Sequence, residues 1–311
     1  MKVRPIHPRF GVEVTGVDLR ELSEETRFPD IRALFEKHSL LLFKGQSLDE
    51  DAHGAFARLF GPLEDRDADV AGTAPRDQPP LPVLTNRDED GDGAMEVTSL
   101  AFLNLIANRY WHTDSTFLRT PALINAITAH VVPSSGGETE IASTRAAWQD
   151  LPQALKDRAE ETVFLHSVLP SRIETDPRLA ELPTVNRYQG QAWRAVWPNP
   201  VTGEKALYIA NHIYGARGMD WTDARAFAEE LIAFATRPEY VYAHAWEPGD
   251  VLVWDERATM HRVRPWPFEE VRTLASTCVS ARERDGLALV TPADGPIRPE
   301  EIFQAPGGSS A

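Results

Sequence analysis

His112 and Asp114 stand two residues apart in the run Tyr110-Trp111-His112-Thr113-Asp114-Ser115-Thr116-Phe117. Read as a strand, this run sends residues i and i+2 to one face, so the imidazole and the carboxylate converge while Thr113 turns away. Imidazole plus carboxylate, completed by a distant second imidazole, is the facial donor set that holds Fe(II) in non-haem oxygenases and leaves positions open for a cosubstrate and dioxygen. Such a triplet also arises by chance, and its plain alternative is a strand histidine hydrogen-bonded to a neighbour.

The third donor should be a histidine on a later strand. Of the nine histidines, His7 is close to the terminus and His38 and His53 fall in helical segments. His130, His166 and His244 have apolar strand neighbours and read as structural. His212, at a strand end, reads as a pocket-lining residue. His261 follows a strand and a turn, which tilts it toward the mouth of a barrel. Position alone leaves the choice open, with His261 slightly ahead.

Arg272 opens the apolar stretch Thr273-Leu274-Ala275-Ser276-Thr277-Cys278-Val279. An arginine entering a core strand needs an anionic partner, because an unpaired buried charge is costly. Its planar fork suits a carboxylate held by two parallel hydrogen bonds. That carboxylate belongs either to the protein or to a ligand. Thr139, just after Gly136-Gly137, is placed to add a hydroxyl to the same carboxylate.

The scaffold behind these residues reads as strand-rich. Apolar spacing predicts helices over 29–38, 48–60 and 222–235 and a helical stretch over 143–161 broken at Pro152. Strands are expected at 39–43, 123–132, 138–141, 163–168, 193–197, 207–211, 240–246, 251–254, 260–263 and 272–279. Residues 64–95 are rich in Asp, Gly, Pro and Arg, with one short strand near 83–85. The segment 64–108, lying just before the metal pair, is therefore expected to be a lid loop. Asp88-Glu89-Asp90-Gly91-Asp92-Gly93 lacks the spacing and final glutamate of a calcium loop and reads as a solvated loop. Without a repeat or linker, a single domain over 1–285 is expected, followed by a poorly ordered Pro- and Gly-rich tail at 286–311. Many short strands with outer helices point to a mainly β fold, a sandwich or barrel.

Composition narrows the partners. Of 311 residues, 32 are basic and 47 acidic, a net charge of −15, which disfavours nucleic acid. The first residues lack an apolar leader region and no apolar run is long enough for a bilayer, so neither export nor a membrane is expected. The single cysteine, Cys278, excludes an internal disulfide and a cysteine zinc site and agrees with a cytoplasmic setting. Homo-oligomerisation is left open.

The dispersed segments His7-Pro8-Arg9-Phe10, Gly16-Val17-Asp18-Leu19-Arg20-Glu21, Phe60-Gly61-Pro62-Leu63-Glu64, Trp111 to Phe117, Gly136-Gly137-Glu138-Thr139, Gly249 to Asp255, Met260-His261-Arg262 and Arg272 together resemble one family. It is that of the Fe(II)/2-oxoglutarate-dependent oxygenases of the taurine dioxygenase type, especially the branch acting on 2,4-dichlorophenoxyacetate and related aryloxyalkanoates. The resemblance implies a double-stranded β-helix, or jelly roll. It implies His112, Asp114 and His261 as iron ligands, Arg272 as the clamp for the distal carboxylate of 2-oxoglutarate, Thr139 as its hydroxyl partner and Asn108 as a residue near the substrate. Fe(II), with 2-oxoglutarate and O2 as cosubstrates, is implied with them. The implied reaction hydroxylates a C–H bond of a small organic substrate while 2-oxoglutarate is decarboxylated to succinate and CO2. Cleavage of an aryloxyalkanoate-type ether and a non-catalytic jelly roll holding a metal or ligand are the alternatives. The chain departs from the family at one point. Where relatives with anionic substrates carry an arginine four residues after the 2-oxoglutarate arginine, this chain has Ser276. A serine supplies no fixed charge, which favours either a neutral substrate or an anion held by Arg109, Arg119 or His212.

Overall fold

The computed structural model describes residues 1–91 and 93–304. Its spine is a seven-stranded sheet running, edge to edge, Lys2–Pro5, Val12–Thr15, Leu40–Phe43, Val251–Asp255, Ala122–Val131, Thr273–Ser280 and Val83–Thr85. Neighbours pair antiparallel except Val12–Thr15 with Leu40–Phe43, which run parallel because the helix Phe28–His38 carries the chain back between them. A three-stranded sheet, Val241–His244, Thr139–Ser143 and Thr259–Val263, faces it.

Strand alternation decides what fills each layer. Leu40, Leu42, Ile127, Leu252, Trp254 and Leu274 point inward and meet Ile141 of the smaller sheet. Leu41, Phe43, Ile124, Ala126, Val251 and Val253 point outward and are covered by Phe35 and Phe56 of the helices Phe28–His38 and Glu50–Arg58. Both faces of the large sheet are thus buried at its centre, which is why Leu40–Phe43 is a continuous apolar run. The second large core packs the helix Trp221–Ala235 through Ala224, Phe227, Ala228, Leu231 and Ala235. This is the expected jelly roll with flanking helices.

Three regions differ from expectation. The stretch 64–108 contains the helices Arg66–Ala71 and Leu100–Ile106, and its short strand Val83–Thr85 closes one edge of the large sheet. Their periodic stretches are too short to read from sequence. Residues 286–304, expected in a poorly ordered tail, begin with the helix Leu287–Val290 and then pack back on the body. Arg217 donates to the Gly295 and Pro296 carbonyls and pairs with Asp294 and Glu301. The remainder of that tail, from 305, lies outside the described residues, as does Asp92 of the acidic loop. Finally, 167–190 holds the short helices Leu169–Thr175 and Pro183–Asn186, for which the sequence had offered no element.

Candidate metal centre and cavity

The two histidines meet because their backbones pair. His112 N donates to His261 O at 3.0 Å and His261 N to His112 O at 2.8 Å, an isolated antiparallel bridge on the free edge of Thr259–Val263. Residues directly opposite in such a pair project to the same side, and the imidazole centroids lie 4.1 Å apart. Asp114 arrives differently from the expected strand geometry. Only His112 is in a bridge; the chain turns at once, with Ser115 at φ 60. Thr113 does face away, its hydroxyl 3.0 Å from the Ile209 carbonyl. The turn brings Asp114 Oδ1 to 3.7 Å from His112 Nε2 and Oδ2 to 3.6 Å from His261 Nε2. One donor atom from each of the three residues fits within a span of 4.8 Å.

This donor set fits a divalent iron. His112 Nδ1 donates to the Tyr110 carbonyl at 2.7 Å, which fixes the tautomer and leaves Nε2 as a lone-pair donor facing Asp114. Burial lowers both imidazole pKa values, that of His261 to about 3, so both rings are neutral at neutral pH, the form in which imidazole binds a metal. Burial acts to raise the Asp114 carboxyl, but His261, His112, Arg66 and a hydrogen bond from Asn125 leave it well below the usual carboxylate range. Two residues that sequence reasoning missed hold it. Asn125 Nδ2 donates to Asp114 Oδ2 at 2.7 Å. The Asp114 amide donates to Glu256 Oε2 at 2.9 Å, while Glu256 Oε1 accepts from Trp254 Nε1. The signal available was an amide inside the apolar strand Ala122–Val131 and an acid directly after the apolar strand Val251–Asp255.

The cluster opens into a cavity of about 450 Å³, lined among others by Asn104, Asn108, Thr139, Arg172, His212, Arg272 and Ser276. Arg272 is 4% exposed. Its Nε donates to the Gly137 carbonyl at 3.1 Å, its backbone N to Asn86 Oδ1 at 2.7 Å, and its plane lies beside the Trp266 ring. Among the described residues no carboxylate pairs with it; burial holds its pKa down at about 10, still cationic. Gly137 is required here: its φ is +70 and an added Cβ would sit 3.1 Å from Arg272 Nε. The Thr139 hydroxyl accepts from Trp246 Nε1 at 3.0 Å, leaving its own proton to donate.

The residues suggested for the substrate side separate clearly. Asn108 and His212 line the cavity; Arg109 and Arg119 are exposed and do not. His212 is neutral, burial having pushed its pKa well down. Ser276 lines the cavity too, but its hydroxyl donates to Asn125 Oδ1 at 3.1 Å and so supports the residue that orients Asp114. Of the histidines read as structural, His166 and His244 are buried; His130 is exposed near the end of Ala122–Val131.

The model of the taurine catabolism dioxygenase TauD, TfdA family matches residues 2–278. The alpha-ketoglutarate-dependent 2,4-dichlorophenoxyacetate dioxygenase of Cupriavidus pinatubonensis is 35% identical over 277 residues, 87% of this chain and 94% of that protein. The (S)-phenoxypropionate/alpha-ketoglutarate-dioxygenase of Sphingobium herbicidovorans is 31% identical, covering 88% and 92%. A crystal structure of AAD-2 in complex with Mn(II) and N-oxalylglycine superposes with a TM-score of 0.83 at 30% identity, covering 92% of this chain and 99% of that one.

Proposed function

Since the chain belongs to the taurine catabolism dioxygenase TauD, TfdA family, a family of 2-oxoglutarate-dependent oxidoreductases that use Fe(II) and O2, we propose that it hydroxylates a C–H bond next to an ether oxygen in a small aryloxyalkanoate-type substrate. The observation that supports this reading is the clustering of His112, Asp114 and His261 at a cavity whose wall holds Arg272, which among the described residues has no carboxylate partner. The names of the relatives supply the substrate type.

The protein's own part is binding and orientation. His112, Asp114 and His261, which border the cavity, would hold the iron. Arg272 and the Thr139 hydroxyl hold the distal carboxylate of 2-oxoglutarate, a charge-assisted pairing that also relieves the buried guanidinium. When bound, iron, 2-oxoglutarate and O2 supply the oxidising power: the keto acid leaves as succinate and CO2, and one oxygen atom enters the substrate C–H bond. At a carbon that bears an ether oxygen, the product is a hemiacetal, which breaks down to a phenol and a carbonyl compound. The stretch 64–108 walls the cavity with Pro79, Pro80 and Leu81, and in this reading it acts as the lid that keeps water from the reacting centre.

The test is succinate formation with Fe(II), ascorbate and 2-oxoglutarate. Phenoxyacetate should stimulate it and release phenol, and His112→Ala should reduce turnover to background. Substrate-stimulated turnover in the alanine variant would overturn the ligand assignment. Substrate oxidation without phenol release would favour hydroxylation away from the ether.

A further inference from the structure

Five arginines line the cavity: Arg66, Arg76, Arg172, Arg262 and Arg272. Three are neutralised within the protein. Arg66 pairs with Glu64 at 2.6 Å, Arg76 with Asp65 at 2.6 Å and Arg262 with Glu140 at 2.6 Å. Among the described residues, the other two, Arg172 and Arg272, have no carboxylate partner. Arg272 is accounted for by 2-oxoglutarate. Arg172 is not accounted for.

Arg172 sits on the helix Leu169–Thr175, outside both sheets of the jelly roll. Its side chain is held by neutral acceptors alone. Nε donates to Asn104 Oδ1 at 2.9 Å, Nη2 to Asn108 Oδ1 at 3.3 Å and Nη1 to Ser171 Oγ at 3.4 Å. Those three contacts fix the guanidinium plane but use only three of its five N–H groups and cancel none of its charge. It is near enough to the metal cluster for its charge to act on His112 and for Asp114 to act on it. Burial lowers its pKa to about 10, so it remains cationic at neutral pH. A fixed, half-desolvated cation beside an open cavity is unfavourable until an anion arrives.

We propose that Arg172 grips the anionic group of the substrate, a carboxylate or a sulfate monoanion, and that Asn104 and Asn108 aim it. The uncharged residue at 276 then ceases to argue for a neutral substrate: the anion-binding charge comes from the 167–190 excursion. The fork of Arg172 pairs with two oxygens of a planar carboxylate or of a sulfate alike, so the two sources must be separated by experiment. The inference rests on the oxygenase reading above.

Calorimetry under argon on the wild-type enzyme loaded with Fe(II) and 2-oxoglutarate tests it, with phenoxyacetate, pentyl sulfate and neutral phenoxyethanol as probes. At least one anion should bind more tightly than phenoxyethanol, and which of the two does so identifies the source. Arg172→Gln should weaken that anion about 100-fold, as loss of a charge-assisted pair does, and leave 2-oxoglutarate affinity and phenoxyethanol binding unchanged. Arg172→Lys should recover part of the loss. Equal anion binding by wild type and Arg172→Gln, or a wild type that prefers phenoxyethanol or binds neither anion, overturns the role of Arg172. The wild-type preference for an anion is read without any variant, so a poorly folding variant cannot hide the answer. Absence of 2-oxoglutarate binding by the wild type would overturn the proposed function and this inference with it.

Discussion

His166 is fully enclosed, and neither ring nitrogen finds a hydrogen-bond partner among the described residues. Burial alone lowers its pKa from 6.5 to about 3. The folded value lies below the unfolded one, so the neutral ring's contribution to stability is present above pH 6.5 and is lost as the pH falls toward 3. Between pH 7 and pH 5 this one residue should cost about 2 kcal/mol of unfolding free energy. Urea unfolding at the two pH values checks it: His166→Leu should flatten the fall by that amount, and an unchanged fall would show that the ring charges without penalty. The same desolvation keeps His112 and His261 neutral. At this scale residue type and spacing drew attention to His112, Asp114 and Arg272, whereas His261 stood out from the other histidines through the family resemblance; the fold brings His112, Asp114 and His261 together. Arg172 was hidden because Glu174 and Asp176 follow it closely, which suggests an ordinary solvated ion pair. The fold instead gives it two asparagines, Asn104 and Asn108, from 68 and 64 residues away.

The turn joining the strands Ala122–Val131 and Thr139–Ser143 shows how an element positions a side chain. Gly136 has φ +70, and a Cβ there would lie 2.4 Å from the Pro265 carbonyl oxygen. Gly136→Ala must therefore move the turn, and with it the neighbouring Gly137 carbonyl that accepts from Arg272 Nε. The expected cost is about 1–3 kcal/mol of stability together with weaker 2-oxoglutarate binding. Calorimetric titration beside thermal unfolding reads both, and a variant with wild-type 2-oxoglutarate affinity would show that Arg272 does not depend on this turn. The Gly136-Gly137 pair was legible as a turn and most strands were legible as apolar runs. The meeting of His112 with Asp114 was right in outcome and wrong in cause, since a single cross-strand bridge and a left-handed Ser115 do what a continuous strand was expected to do. Isolated bridges leave no periodic trace for a sequence to show.

Across the molecule, a buried charge network fastens the outer helix to the metal strand. Arg257 lies at the bend between Val251–Asp255 and Thr259–Val263, 2% exposed, and pairs with Asp255 at 2.8 Å and Glu36 at 2.7 Å. Asn199 and Arg32 complete Glu36, and Arg32 also reaches Asp285. Arg257→Ala takes the shared cation from two buried acids, leaving Glu36 with Arg32 and Asp255 with Arg145 at 3.6 Å, and should cost about 3 kcal/mol. Chemical unfolding measures it; a loss below 1 kcal/mol, the range of an exposed pair, would mean that water reaches the network. Among the described residues, no helix is long and apolar enough to cross a membrane.

The division of labour between sheet and excursion has a consequence for how such a protein can change. The residues assigned to iron and keto acid lie on or beside paired strands, whereas the cation assigned to the substrate rides on a seven-residue helix that belongs to no sheet. Randomising the positions around that helix should therefore yield descendants with new substrate appetites and an undisturbed oxidation engine, so that novelty can be gained without first dismantling the machine.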